Sequence, residues 1–378
     1  MPTHSDARLH AIEQSGWGED FHLVQPHNLA FWVYCLLVVA GAYVLSGQIS
    51  IAAAAYSGAL ISGLVAFGLL AAGYLWFIHY GDRYTTVPAG LAAAGFVWGA
   101  VAAIGAFALL GNDAVMSLYA KAFGGSFAFD WGAALTAPFD EELAKGAGVL
   151  LLLTLAPRLV RSPFDGLILG AYVGLGFQIS EDISYAFIGA ANSFGDVGAA
   201  WSTIVARTVS SLASHWMYTG IFGAGLVWFL GRPDVPARRR LGLGLMLGAM
   251  LMHGLWDASG AIGGDGVFAW VVPLAVASAA IGTFAWVYNE TQPIEREWMR
   301  ELMAPEVELG VVSPSELDAL AGSRSALRTY VRGQQSPRTA KRVLRAEGEL
   351  AHQIARDGGA DTAAVQRARA AVAQAHRP

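Results

Sequence analysis

Two adjacent glutamates and a lysine stand inside an otherwise apolar stretch, in the sequence P-F-D-E-E-L-A-K-G at residues 138–146. On a helix, Lys145 shares a face with Glu141, four residues earlier, and lies beside Glu142, three residues earlier. One lysine cannot neutralise two carboxylates, so we expect one of the glutamates to serve as a general base or acid. The structural alternative is an acidic cluster at the start of a helix, an interpretation that fits Asp140 best.

A further carboxylate lies on a helix face that is suited to close packing. Gly166, Gly170 and Gly174 recur at four-residue spacing and form a small-residue ridge that lets another helix approach. Glu181 follows two turns later on the same face, where an ionisable group points into the bundle rather than to lipid. Glu181 is therefore a candidate site residue, with a structural hydrogen-bonded carboxylate as the alternative.

Two histidines add metal-binding chemistry to these carboxylates. Of the nine histidines, only His215 and His253 lie in long apolar runs, and Asp257 follows His253 by one helical turn in H-G-L-W-D. One such histidine is more often a packed, hydrogen-bonded side chain, but two with nearby carboxylates suit a divalent metal such as Zn²⁺. A catalytic zinc takes three protein ligands and leaves one position open for water. The predicted ligands are His215, His253 and one carboxylate, Glu181 or Asp257.

Such a centre would hydrolyse bonds by activating water. The metal lowers the pKa of that water to about 7, and a neighbouring glutamate takes its proton. Glu141 or Glu142 is the predicted base, and Lys145 is predicted to orient the glutamate pair or to stabilise the oxyanion. A rise of about 1.5 Å per helical residue converts positions along the helices into depths in the membrane. By this measure the candidate residues lie at similar depths, between the centre and the outer side of a hydrocarbon core ~30 Å thick.

The composition describes the environment of these residues. The chain has 378 residues, of which 55% are hydrophobic and 14% are charged, whereas a soluble globular domain carries about 25% charge. This excludes a disordered chain, a collagen-like chain and a nucleic-acid binder with a large basic surface. Residues 290–378 hold 13 of the 24 Lys and Arg and 12 of the 29 Asp and Glu. We therefore expect an apolar membrane body followed by a charged soluble tail.

Eight runs are long and apolar enough for transmembrane helices of about 20 residues. They lie at roughly residues 29–47, 52–78, 88–110, 132–156, 164–189, 200–230, 241–260 and 267–289. The loops after the even-numbered runs contain the arginines, whereas those after the odd-numbered runs contain only Lys121. The positive-inside rule then places both termini in the cytoplasm. The predicted fold is an all-α, polytopic membrane helix bundle of about eight transmembrane helices with a short cytosolic helical C-terminal tail.

The predicted organisation has three parts: a polar N-terminal segment (1–28), a transmembrane bundle (29–289, with a catalytic core at about 132–260) and a cytosolic helical tail (290–378). Within the tail, Ser313-Pro314-Ser315-Glu316 and Ser336-Pro337 are typical of helix starts. We interpret the tail as a small helical hairpin or as a binding site for a cytosolic partner. Its mixed charges argue against a nucleic-acid partner.

Taken in order along the chain, these motifs resemble the PrsW family of bacterial intramembrane proteases, related to the CAAX-processing and bacteriocin-processing membrane proteases. The matching elements are E-E-L-A-K at 141–145, D-G-L-I-L-G-A-Y-V-G-L-G-F-Q-I-S-E-D at 165–182, His215 followed by Gly220, and H-G-L-W-D at 253–257. They cover about residues 136–260, roughly a third of the chain. The resemblance matches the family's paired glutamates, second-motif acidic residue and two histidines to Glu141, Glu142, Glu181, His215 and His253.

The resemblance implies a metalloprotease of the bacterial cytoplasmic membrane that lies within the lipid bilayer and cleaves membrane-tethered proteins. The family's best-known role is the first cleavage of a membrane-bound anti-sigma factor. The chain departs from the family pattern at Asp182, where an asparagine is common. Related enzymes have been argued to work without a metal: Glu141 and His215 would then activate water, while His253 and a neighbour stabilise the oxyanion. Spacing alone does not separate the two schemes.

Two other functions fit parts of the pattern. A proton- or ion-coupled transporter or channel would use the same Glu, Asp, His and Lys side chains as a relay. Such a protein should spread its polar sites over corresponding halves of the chain, whereas here they are confined to four adjacent helices. A membrane scaffold that recruits partners through its tail would not need an intact cluster. Intramembrane proteolysis is therefore the predicted function.

Overall fold

The computed structural model describes residues 4–84, 87–233, 235–264 and 266–377, and within these ranges the chain is all-α, with no strand. The first helices are α1 (His4–Ser15), α2 (Leu29–Ala55), α3 (Ser57–Gly81), α4 (Ala89–Val97) and α5 (Leu109–Phe123). The central helices are α6 (Gly125–Leu155), α7 (Pro163–Ala191), α8 (Val197–Ser210), α9 (His215–Leu230) and α10 (Arg239–Asp257). The last helices are α11 (Ser259–Gly263), α12 (Val271–Glu308), α13 (Pro314–Leu320), α14 (Arg324–Gly333), α15 (Pro337–Arg356) and α16 (Ala363–Ala375).

Among the described residues, four helical segments are long and apolar enough to cross a membrane: α2, α3, Ala89–Phe123 and Gly266–Glu308. They expose large apolar side chains, such as Leu36, Leu69 and Leu274, on the surface that lipid tails would cover. An apolar surface of this extent indicates an integral membrane protein. The four other spans of the predicted eight, which correspond to α6, α7, α8 with α9, and α10, remain predictions.

α7 lies at the centre of the bundle, and most of its residues are buried. Its small-residue ridge packs against α9: a Cβ at Gly170 would lie 2.3 Å from the carbonyl oxygen of Thr219, and one at Gly174 would lie 2.3 Å from that of His215. Only glycine permits such an approach of two backbones. The first turn of α9, and with it His215, is therefore fixed against the middle of α7.

The sixth predicted span, residues 200–230, is not one continuous helix. α8 ends at Ser210, a 3-10 turn covers Ser211–Ala213, and Ser214 has an extended backbone immediately before α9. The hydroxyls of Ser210 and Ser211 donate to carbonyls three residues earlier, at 3.0 and 2.7 Å. Serine side chains that bond to the local backbone in this way favour helix ends. The break places the histidine of this segment at the N-terminus of α9.

The helix from Ala89 to Phe123 is longer than predicted and irregular. It contains a π-helical segment, Trp98–Ala108, and continues as α5 beyond residue 110, where the third span was predicted to end. π-helical turns are rare and often occur at functional sites. α5 itself packs mainly against α6, and none of its residues is buried along its fully described length. It forms the loosely packed wall of the bundle.

The N-terminal helix and the tail meet at the end of α12. Arg8 of α1 lies 2.8 Å from Glu306 Oε1, and Arg369 of α16 donates to both carboxylate oxygens of Glu306 at 2.7 and 2.9 Å. α12 runs without a break through residue 290, where the tail was predicted to begin. The first and last helices of the chain are therefore joined through one buried carboxylate.

Local chemistry accounts for several helix starts. Ser313 and Ser336 are N-caps followed by proline at the first helical position, so both predicted tail helix starts are confirmed. α7 begins in the same way at Ser162, with a capping box that is closed by Asp165. This cap fixes the end of the helix that carries Glu181.

Candidate active site

α6 presents two glutamates and a lysine to the interior of the bundle. The exposed fractions of Glu141, Glu142 and Lys145 are 3%, 0% and 0%. Lys145 Nζ lies 2.6 Å from Glu142 Oε1 and 3.6 Å from Glu141 Oε2. It also lies 4.1 Å from the centre of the Phe177 ring, a favourable site for a cation. The side-chain pairs expected from the helical spacing are formed, and the shorter of the two is with Glu142.

Glu142 is held from three sides. Besides Lys145, Thr219 Oγ1 donates to its Oε2 at 3.0 Å, and His253 Nδ1 lies 3.1 Å from its Oε1. A buried carboxylate with this many partners has a fixed orientation. The structure therefore separates two glutamates that look alike in the sequence: Glu142 connects α6 to α9 and α10, whereas Glu141 lines the cavity.

Glu141 has fewer partners. Asn112 of α5 donates from Nδ2 to Glu141 Oε1 at 3.0 Å. Glu141 Oε2 is buried and accepts no hydrogen bond from the described residues; Lys145 Nζ lies 3.6 Å away and His253 Nε2 3.7 Å away. A buried oxygen without a donor is costly, and such a cost is typical of a group that binds a ligand or performs chemistry.

His253 is oriented by its neighbours so that one ring nitrogen faces the cavity. With Nδ1 directed to Glu142, its Nε2 lies 3.4 Å from Asp257 Oδ2. The Tyr218 ring stacks on the imidazole at a centroid distance of 5.8 Å. A carboxylate that accepts the Nδ1 hydrogen selects the tautomer in which Nε2 has a free lone pair, as in most histidines that bind metals.

His215 lies directly beside His253, with the two ring centroids 4.8 Å apart. Its Nε2 lies 3.1 Å from Glu181 Oε2, and its Nδ1 lies 3.0 Å from Lys145 Nζ. Glu142 Oε1 is 3.9 Å from the same Nδ1. His215 therefore connects the α6 glutamates and lysine to the acidic residue of α7.

Arg207 of α8 completes the acidic end of the cluster. Its guanidinium binds both Glu181 and Asp182 and lies 4.4 Å from the centre of the Tyr185 ring. A guanidinium can bridge two carboxylates because its donors form a rigid fork. Asp182 forms an ion pair with Arg207.

A cavity of about 300 Å³ connects these side chains. Its lining includes the ionisable side chains of Glu141, Glu181, Arg207, His215, His253 and Asp257, together with apolar side chains of the π-helical segment and α5, among them Ile104, Leu109 and Met116. A cavity that combines ionisable and apolar side chains suits a peptide with apolar side chains. All seven residues predicted from the sequence lie at or beside this cavity, and their chemical roles stay predictions.

Three residues form the group best placed to hold a metal. One ligand atom from each of Glu141, His215 and His253 lies within 4.8 Å of the other two, and all three residues are buried. The predicted carboxylate ligands, Glu181 and Asp257, each lie near one histidine instead, at 3.1 and 3.4 Å. The third ligand favoured by this geometry is thus Glu141, one of the two glutamates that the sequence offered as the base.

The charge of the cluster also suits a divalent cation. Its five carboxylates face two cations, Lys145 and Arg207, within the bundle. The carboxylates are those of Glu141, Glu142 and Asp182, which are buried, and of Glu181 and Asp257, which are partly exposed. Buried negative charge in excess of its partners is unfavourable, and a divalent cation held by a carboxylate and two imidazoles would offset it. The residues present therefore fit the metal that the donor types imply.

Two residues of the cavity were missed as site residues by sequence reasoning. Asn112 lies beyond the predicted end of the third span and was assigned to a loop, although it is a polar residue on the same helix. Arg207 lies within the sixth predicted span and was not among the predicted site residues. An arginine next to a predicted intramembrane carboxylate is a signal that would have paired it with Glu181.

A family model for the PrsW family intramembrane metalloproteases matches residues 87–285. The match covers more than half of the chain and includes the π-helical segment, α5 and every side chain of the cluster. No curated protein and no solved structure matches the chain.

Proposed function

The chain belongs to the PrsW family of intramembrane metalloproteases, and we propose that it cleaves membrane-tethered proteins at the centre formed by Glu141, His215 and His253. The observation that carries this proposal is the convergence of these three buried side chains, with ligand atoms within 4.8 Å of one another. They come from three helices, α6, α9 and α10, and they meet at a cavity that also reaches α5 and α7.

Glu141, His215 and His253 are the residues that would hold a divalent metal, of which Zn²⁺ suits the donor set best. When bound, the metal would supply Lewis-acid polarisation of a peptide carbonyl and activation of water. Asp257, whose Oδ2 lies 3.4 Å from His253 Nε2, is then the carboxylate positioned to accept a proton. Glu142 keeps the orientation of His253 fixed throughout.

The same geometry supports the scheme without a metal, and the two remain alternatives. In that scheme Glu141 Oε2 takes the proton of the attacking water, and His215 acts with it. His253, whose Nε2 lies 3.7 Å from Glu141 Oε2, would stabilise the oxyanion in a form that carries hydrogen on Nε2, unlike the tautomer that binds a metal. Lys145 has the same role in both schemes, because its short ion pair with Glu142 fixes the α6 glutamates relative to the two imidazoles.

The substrate class follows from the position of the cavity. The cavity opens among helices of a membrane bundle, so the peptide that reaches it belongs to a membrane-tethered protein. A regulatory substrate, such as an anti-sigma factor in a bacterial cytoplasmic membrane, fits this proposal. The arginines of the inner loops support an orientation with both termini in the cytoplasm, which would make the tail available to a cytosolic partner.

The test compares cleavage and metal content in the same preparations. A tethered reporter substrate is co-expressed with the natural protein, with Glu141→Ala, with His215→Ala and with an exposed tail control, Glu349→Gln. We expect cleavage by the natural protein and the control and loss of cleavage in the two cluster variants. Undiminished cleavage by both cluster variants would disprove the proposal, and ion flux into liposomes without cleavage would favour a transporter.

The role of the metal is tested separately in purified protein. The metal-dependent scheme predicts stoichiometric metal that falls in a His215→Ala/His253→Ala double variant and activity that is lost on chelation and restored by Zn²⁺. Full activity after exhaustive chelation, with no metal remaining by mass spectrometry, would support the Glu/His scheme instead.

A further inference from the structure

The cytosolic tail contains one stretch whose charge is of a single sign. Between Asp318 and Glu347 there is no acidic residue, whereas seven basic residues occur. They are Arg324, Arg328 and Arg332 on α14, and Arg338, Lys341, Arg342 and Arg345 on α15. The tail as a whole has mixed charges, so this concentration is a local feature of two adjacent helices.

The arginines of α14 lie on one face of that helix. Arg324, Arg328 and Arg332 follow one another at four-residue spacing, which places them in one row on a helix. Val331 is buried, and Leu327 and Tyr330 pack against the same small core as Ala340 and Leu344 of α15. The apolar face of α14 is therefore used for packing within the tail, and its arginine row points away from that core.

The N-terminus of α14 lies at the ends of two membrane helices. Arg324 donates to the carbonyl of Tyr80 at the end of α3, and its Nε donates to the hydroxyl of Tyr288 on α12 at 3.2 Å. Its guanidinium lies 4.5 Å from the centre of the Tyr80 ring. Trp76 stacks with Tyr80 at 5.7 Å, and these two side chains are 67% and 56% exposed.

Exposed Trp and Tyr at the end of an apolar helix mark the membrane–water interface. Arg324 therefore lies at the level of the interface, and the rest of α14 begins there. At about 1.5 Å per residue, Arg328 and Arg332 are about 6 and 12 Å further along the helix. This distance is comparable to a headgroup layer and to the Debye length of about 8 Å at physiological salt.

Four of the seven basic side chains are exposed without an acidic partner. Within the ranges that the structure describes, no carboxylate lies within 4 Å of Arg328, Arg332, Arg338 or Lys341. The remaining α15 arginines are used internally, since Arg342 donates to the carbonyl of Ala375 at 3.1 Å and Arg345 pairs with Glu349 at 3.2 Å.

We propose that the basic surface formed by α14 and the first turns of α15 binds the anionic phospholipid headgroups of the adjacent leaflet. The surface has the two properties that such binding requires: several unpaired cations, and a position fixed at the interface by Arg324. Clusters of four or more Lys and Arg next to a membrane helix bind anionic lipid in this way. The tail is then held against the bilayer that contains the catalytic bundle.

The binding is measured with the full-length protein in a neutral detergent, by titration with fluorescent short-chain phosphatidylglycerol and, separately, with short-chain phosphatidylcholine. We expect tighter binding of phosphatidylglycerol. Arg328→Gln/Arg332→Gln should weaken that binding about 30-fold, since each basic residue near the surface contributes about fivefold. All these side chains are exposed, so helix content and elution volume should not change.

Two control variants test whether the effect is local. Arg328→Lys/Arg332→Lys keeps the charge and should bind within about twofold of the natural protein. Arg356→Gln/Arg367→Gln removes the same charge from exposed positions outside the basic surface and should leave binding unchanged. Equal weakening by this last pair would show a general charge effect and overturn the proposal.

Competitors identify the ligand class. The proposal is also overturned if phosphatidylcholine binds as tightly as phosphatidylglycerol, if inorganic phosphate displaces the lipid at equal concentration, or if a duplex oligonucleotide binds more tightly than the lipid. The measurement involves no substrate cleavage, so its outcome is independent of the proposed protease function.

Discussion

Two of the regions that contain buried carboxylates differ in the partners that these carboxylates have. At the end of α12, Glu306 is fully buried and receives donors from Arg8 and Arg369, so two cations surround one acid. In the bundle, five carboxylates face two cations, and Glu141 Oε2 accepts no hydrogen bond from the described residues. Removal of one partner of a matched buried pair is strongly destabilising because it leaves the other charge uncompensated, whereas excess buried charge is unfavourable as it stands.

The difference separates a junction from a reaction centre. The Glu306 junction connects α1, α12 and α16 and lies away from the cavity. The bundle cluster lies at a cavity and keeps one carboxylate oxygen and one imidazole nitrogen directed into it. Active sites characteristically hold such unsatisfied groups at a cost to stability. Substitutions in the two regions should therefore have opposite consequences for activity and for stability.

The largest expected effect is on activity at Glu141. Glu141→Gln removes the carboxylate that would bind metal or take a proton, and cleavage of a tethered reporter should fall by about 10³-fold or more. The midpoint of thermal unfolding should stay the same or rise, because the cluster loses one of its excess charges. Glu142→Gln is the matched control and should lower activity and stability together, since it weakens the partner of buried Lys145. If Glu141→Gln retains cleavage and Glu142→Gln loses it, Glu142 is the reacting carboxylate and Glu141 is the positioning one.

The next largest effect is on stability at Glu306. Glu306→Gln leaves two arginines without their buried acid and should destabilise the junction by about 3 kcal/mol. Hydrogen exchange of α1 and α16 measures this, and cleavage per folded molecule should be unchanged. Glu349→Gln removes an exposed partner of Arg345 and should cost less than about 0.5 kcal/mol. If Glu306→Gln is fully folded but does not cleave the reporter, the junction contributes to the active site.

Much of the site was predictable because helical spacing is a local property. The pairs of Lys145 with Glu141 and Glu142, and of His253 with Asp257, follow from residues three or four apart on α6 and α10. The glycine ridge predicted that α7 packs closely, and the structure shows the partner helix to be α9.

The rest depended on contacts between helices. The separate roles of the two glutamates come from Thr219 and His253 on other helices, and no local pattern contains that information. The break after α8 depends on serine side chains that compete for backbone hydrogen bonds. Their free-energy preference for a helix end is so small that tertiary packing decides whether the helix breaks. Asn112 was missed because the apolar pattern fades where the π-helical segment changes the register, although the helix continues.

A smaller effect is expected at Glu347, a tail carboxylate that resembles Glu141 in being buried. Burial, together with nearby Glu316, raises the pKa of Glu347 to about 8, and neither Glu347 oxygen accepts a hydrogen bond from the described part of the chain. The unfolded pKa is about 4.3, so the folded state binds more protons between these values. The tail should therefore lose stability as the pH rises from about 4.3 to 8 and change little above that range.

Glu347→Gln tests this titration. The variant should unfold with a flatter pH dependence and be more stable than the natural tail at pH 8. Hydrogen exchange of α15 at pH 5 and pH 8 measures the difference, with the exposed Glu349→Gln as control. If the stability of Glu347→Gln depends on pH as steeply as that of the natural protein, the titrating group is Glu316 or His376. His376 Nε2 lies 2.9 Å from Glu316 Oε1.

The smallest effect is expected at Asn112. Its substitution tests whether this side chain orients the Glu141 carboxylate or binds the peptide substrate. Asn112→Ala removes the donor to Glu141 Oε1, and a hydrogen bond to a charged group is worth enough for a decrease of about tenfold in kcat. KM should change little, because the hydrogen bond that is lost is made to Glu141. Ser117→Ala, an exposed change on the same helix, controls for effects on α5 itself. A rise in KM at unchanged kcat would instead place Asn112 in the peptide-binding surface. The contrast between the bundle cluster and the Glu306 junction would then depend on Glu141 alone and not on its hydrogen bond from α5.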